Sequence, residues 1–153
     1  MEQAQEIFKK FLHDHRQKYT EERRVVLEVI ESFDRPFEAE ELLLALRRQQ
    51  HRVSKATVYR TLKHLVECLL VNQIFFGAGK QSYYDFVGTQ RGHDHLVDVQ
   101  TGKIIPFSSP EIAALRDRIA GEMGFTSVAH RFQILGRARQ AGLHGRGNKA
   151  TSI

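Results

Sequence analysis

Between Val53 and Leu70 apolar and polar positions alternate with the period of a helix. Val58, Leu62, Leu65, Val66 and Leu69 recur at three- and four-residue spacing and form one apolar stripe. Ser54 stands just before the run, where its hydroxyl can accept from backbone N–H groups left open at a helix start. Thr57, Tyr59, Arg60, Lys63 and His64 fall away from the stripe. The same period predicts three earlier helices. The first spans residues 3–15, with Ile7, Phe8, Phe11 and Leu12 on one side. The second opens at Thr20, carries Glu21 and Glu22 in its first turn and ends at Asp34-Arg35-Pro36. The third runs from Glu38 to Arg48, with Leu42, Leu43 and Leu46 inward.

Beyond Leu70 the period changes. Val71–Phe76 and Ser82–Val87 are β-rich runs around Gly77-Ala78-Gly79-Lys80, which predicts a hairpin. A hairpin directly after a basic helix of this kind is a wing, with Lys80 at its tip. Gly88-Thr89-Gln90-Arg91-Gly92 reads as a connection. A second hairpin is expected from His95–Val99 and Ile104–Phe107, turning at Thr101-Gly102. Pro110 opens a helix over Glu111–Met123 with Ile112, Leu115 and Ile119 on one face. Phe125 to Gly136 reads as a third strand, with Val128, Phe132 and Ile134 on one side. The predicted class is therefore α+β: a winged helix-turn-helix domain over 1–87, a hinge at 88–92, a small α/β dimerisation domain over 93–137 and a flexible basic tail over 138–153. About 45 residues bury a sound core poorly by themselves, so the second domain is expected to pair with a second copy.

Charge sharpens this picture. The net charge is +5, and residues 47–63 hold six bases (Arg47, Arg48, Arg52, Lys55, Arg60, Lys63) and no acid. A helix anchored on one side and presenting hydroxyl, phenol and cationic groups on the other suits a DNA major groove; His64 is expected on that DNA side as well. The single cysteine, Cys68, excludes an intrachain disulfide and is expected to pack as a small hydrophobe. The acid-bearing start lacks the apolar run of a signal peptide, and no stretch approaches ~18 consecutive apolar residues, so a cytoplasmic protein is expected.

ATVYRTL at 56–62, Gly79-Lys80, Gly92-His93-Asp94-His95-Leu96 and Thr101-Gly102-Lys103-Ile104-Ile105 together resemble the ferric uptake regulator family, over roughly residues 5–136 in one unbroken order. The resemblance implies a homodimeric, metal-responsive repressor that binds double-stranded DNA. By it, Tyr59 and Arg60 face the groove, Lys18 resembles a minor-groove contact, and Thr57, Lys63 and Lys80 complete the interface. It also shows where this chain departs from the family pattern. Asp98 and Thr101 stand where a CxxC structural zinc site would begin, so a cysteine-bound zinc is not expected. The interdomain site resembles Asp85, His93 and His95, but Pro36 and Pro106 stand at its two other ligand places. A second site resembles Asp94 and His130, with Gly92 and Ala113 at its remaining places.

From the residues alone, His93 and His95 alternate along a strand and point the same way, so they can share an ion, with Asp85 adding an oxygen. That donor set suits iron, zinc, manganese or cobalt and does not choose among them. One divalent ion per chain is expected there, with Glu38 or Glu40 as a substitute ligand and His130 as a hydrogen-bonded structural residue. A regulator of the same fold with weakened metal dependence is the alternative. A metallohydrolase built on His93, Asp94 and His95 fits poorly, because no nucleophile–base constellation accompanies them.

Overall fold

The computed structural model describes residues 2–76, 81–88 and 94–139. Lys80, His93 and the tail from residue 140, including His144, lie outside them. The chain divides into two compact units at residues 90 and 91.

The first unit begins with α1 (Glu2–Asp14), α2 (Glu21–Glu31), a two-residue strand β1 (Phe37–Glu38), α3 (Ala39–Arg48) and α4 (Lys55–Glu67). Each boundary has a local cause. Thr20 caps α2, its hydroxyl accepting from the Arg23 N–H. Ser54 caps α4, accepting from the Thr57 N–H at 3.1 Å. Leu69, placed on the apolar stripe by its spacing, instead follows the end of α4 with φ of +64°. The buried face of α4 is Val58, Thr61, Leu62 and Leu65. It meets Phe8 and Leu12 of α1, Val26 and Ile30 of α2, and Leu42 and Leu46 of α3 in one core. β2 (Val71–Phe76) and β3 (Gln81–Phe86) pair antiparallel, and β1 adds to β3 through Phe37 opposite Tyr84. That core therefore fixes both the helix and the hairpin behind it. Cys68 is half-buried behind α4, and burial pushes its thiol up to about 11, so the group stays a thiol near neutral pH.

The second unit contains β4 (Asp94–Asp98), β5 (Ile104–Phe107), α5 (Pro110–Glu122) and β6 (Gln133–Gly136). β4 lies in the middle, antiparallel to β5 and parallel to β6. The expected strand from Phe125 is corrected here: among the described residues only 133–136 pair, and Phe125 and Val128 are exposed. The apolar alternation persists before Gln133, but contact with β4 reaches back only to the Phe132 carbonyl, which accepts from the His95 N–H at 3.1 Å, and residues 125–132 are not in a strand. The Ile112–Leu115–Ile119 face is present on α5, yet no α5 residue is buried. Val97 is the one fully buried apolar side chain among the described residues of this unit.

Candidate nucleic-acid interface and metal-site residues

The interface is built on α4. With Val58, Leu62 and Leu65 turned into the core, the helical period turns Tyr59, Arg60 and Lys63 outward, and all three are exposed. Ser54 also donates to the Thr57 hydroxyl at 2.9 Å, which fixes the first turn. Lys55 pairs with Glu40 of α3 at 2.9 Å and lies 5.8 Å from the centroid of the Tyr59 ring. The Glu40 carboxylate raises the Lys55 ammonium above its ordinary value. The sequence expectation for His64 is corrected: its side chain is 19 % exposed, lies near Phe11 of α1 and contacts Glu67 at 3.3 Å. It is part of the α1–α4 contact, not of the outward face.

Arg23 is a residue that spacing alone did not single out. Its guanidinium donates to the Lys18 carbonyl at 2.6 Å and to Gln17 at 3.2 Å, holding the segment that presents the exposed Lys18. Burial lowers its pKa first, and the positive charge of Arg60 lowers it further. Arg23 and Arg60 are thus like charges on neighbouring helices, an arrangement relieved by a bound anion. A cation in the first turn of a helix opposes the macrodipole, and that was the available signal. Arg24, by contrast, is held by Glu21 and Glu28 within its own helix.

The expected metal ligands are distributed over the two units. Asp85 is buried on β3, opposite Asn72. His95 is buried on β4, between Pro106 of β5 and Gln133 of β6. Among the described residues no three His, Cys, Asp or Glu side chains converge closely enough to hold an ion. Glu38 precedes α3, accepts from the Tyr83 hydroxyl, and its backbone N–H donates to Glu41 at 2.9 Å. Glu40 is paired with Lys55.

The other departures from the family pattern have structures of their own. Asp98 accepts from the Gln100 N–H at 2.9 Å and the Thr101 hydroxyl at 2.7 Å. That Asx turn, closed by Gly102 at φ of +74°, joins β4 to β5. The Gln100 and Thr101 donors hold the Asp98 carboxyl below its ordinary value. Asp94 is buried and accepts from His130 Nε2 at 2.8 Å.

The model of the Ferric uptake regulator family matches residues 14–135. The chain belongs to this family. A ferric uptake regulation protein of Rhizobium leguminosarum bv. viciae is 39% identical over 117 residues, which cover 76% of this chain and 81% of that protein. One from Campylobacter jejuni subsp. jejuni is 35% identical over 133 residues, 86% of this chain and 83% of its own. The structure of a ferric uptake regulator from Pseudomonas aeruginosa with manganese superposes with a TM-score of 0.71 at 28% identity, covering 84% of this chain and 96% of that one. The chain is thus a metal-responsive transcriptional regulator with a winged-helix unit followed by a small α/β unit. Among the described residues, no helix is long and apolar enough to cross a membrane.

Proposed function

We propose that the chain binds double-stranded DNA as a homodimer, with α4 in the major groove and a divalent ion setting its affinity. The observation that carries this reading is α4 itself. One face is locked into the core, and the other offers Thr57, Tyr59, Arg60 and Lys63 with no acid among them. Tyr59 and Arg60 read base edges, while Lys18 and Lys80 meet phosphate and fix position. The exposed apolar residues of the second unit, Leu115, Ile119, Phe132 and Ile134 among them, supply the surface a second copy covers. A dimer sets two recognition helices about one DNA turn apart.

The ion is held by Asp85, His93 and His95, one per chain, with iron, zinc or manganese as candidates. The donor chemistry fits, since carboxylate and imidazole are ordinary ligands of these ions and Asp85 and His95 are both buried. The manganese in the Pseudomonas aeruginosa regulator supports a divalent ion. Asp85 belongs to the first unit and His95 to the second, and an ion changes DNA affinity only by its differential affinity for the DNA-binding and non-binding states. Glu38 and Glu40 contribute only by giving up Tyr83 and Lys55. Calorimetric titration of metal-free protein with manganese or zinc tests the assignment. Wild type is expected to bind about one ion per chain, weakening below about pH 6 as histidine protonates, and the double variant His93→Ala, His95→Ala to lose that event. Equal binding by both proteins would remove the site.

A further inference from the structure

The Asp94–His130 cluster holds a group that the family resemblance did not include. Arg116, on α5, approaches His130 with Nη1 at 3.1 Å from Nδ1. His130 Nε2 lies 2.8 Å from Asp94 Oδ1. The same guanidinium donates through Nε to Asp117 at 2.8 Å, and Asp117 also accepts from the Ser127 hydroxyl. One chain of hydrogen bonds therefore ties the central strand, the helix and the segment leading to β6.

The protonation pattern follows from donor chemistry. A guanidinium is only a donor, so His130 Nδ1 must accept, and the ring proton must sit on Nε2, facing the carboxylate. Both ring nitrogens are then committed. A metal ligand needs an available imidazole lone pair, and His130 offers none in this arrangement. The remaining ligand places hold Gly92 and Ala113, which carry no side-chain donor atoms. A divalent ion does not fit here. Yet Asp94 is 1% exposed, and a carboxylate that deeply buried is costly without hydrogen-bonded compensation by a positive charge. The Asp117 hydrogen bond chiefly raises the Arg116 guanidinium above its ordinary value, and the charge of Asp94 adds a smaller push in the same direction.

We propose that Arg116 is the resident cation of this cluster, a covalently attached charge acting through His130 on Asp94, so that β4, α5 and the approach to β6 stay joined without metal there. This assignment is independent of the proposed ion at Asp85, His93 and His95. It predicts a second unit whose internal order does not depend on metal at this cluster.

The test uses full-length protein labelled with 15N in histidine, with the His130 ring resonances identified by a His130→Gln variant. The ring should show the Nε2–H tautomer in chelator. It should be unmoved by about two equivalents of zinc chloride per chain, even if other histidines shift. A zinc-dependent shift of either His130 nitrogen, or the Nδ1–H tautomer in chelator, would overturn the assignment. In a second arm Arg116→Met, in chelator, should lose the single tautomer and unfold about 5 °C or more below wild type. Arg116→Lys, which keeps the charge, should recover at least half of that loss. An Arg116→Met protein with wild-type unfolding and an unchanged tautomer would overturn the proposal, as would a lysine variant no better than methionine.

Discussion

Removing Arg60 should move stability and DNA binding in opposite directions. Arg60 lies on the exposed face of α4, while its charge disfavours that of Arg23 on α2. Truncation to alanine removes a like-charge contact and costs no buried apolar surface. Both groups are solvent-screened, so the folded protein should gain no more than about 0.5 kcal/mol, and alanine's helix propensity does not work against it. Binding to the cognate site should fall by about 1–3 kcal/mol, or roughly 5- to 150-fold, if the guanidinium reads a base edge. Fluorescence anisotropy against cognate and scrambled duplexes at several salt concentrations, beside thermal unfolding of the free protein, separates these effects. The cognate–scrambled difference should shrink. If Arg60 touched only phosphate, both affinities would fall together and the salt slope would flatten by about 0.9. A variant that unfolds earlier yet binds the cognate duplex as wild type does would refute the placement of α4.

Three further outcomes follow from the packing and the turns. Leu62→Ala should destabilise the first unit by about 2–5 kcal/mol in denaturant unfolding, whereas Ser54→Ala should cost only about 1 kcal/mol through the lost cap; the reverse order would contradict the anchoring of α4. The Asp98 carboxyl is lowered in the folded chain, so its contribution is present above its ordinary value and lost as pH falls through the depressed one; Asp98→Asn should flatten stability against pH below about 4, and an unchanged profile would remove the turn from the account. The double variant Leu115→Glu, Ile119→Glu should give monomers in sizing chromatography while wild type remains dimeric in strong chelator; a dimeric variant would place the interface elsewhere.

The winged-helix unit was legible because its signals are local. Thr20 and Ser54 cap helices whose apolar stripes repeat within a few residues, and the core they predict is the one observed. β1 was not legible: Phe37 and Glu38 become a strand only because Tyr84 and Tyr83, far along the chain, supply ladder partners. The opposite failure occurred before β6, where Val128 and Phe132 alternate like a strand, yet the ladder with β4 begins only at Gln133. Asp94 and His130 were visible as polar candidates, but the arginine 14 residues before His130, on another element, was not. Arg23 was hidden among the charges of α2 until its bond to the Lys18 carbonyl set it apart.

The central claim is that a divalent ion controls how this winged helix meets DNA. Its most direct test is the affinity of the full chain for its cognate duplex, by anisotropy, first in chelator and then with manganese or iron(II) in excess. The predicted result is an affinity at least about fivefold tighter with metal, a coupling of about 1 kcal/mol or more. That gain should disappear in the His93→Ala, His95→Ala variant while the residual chelator affinity stays. Equal affinity with and without metal in wild type would contradict the account.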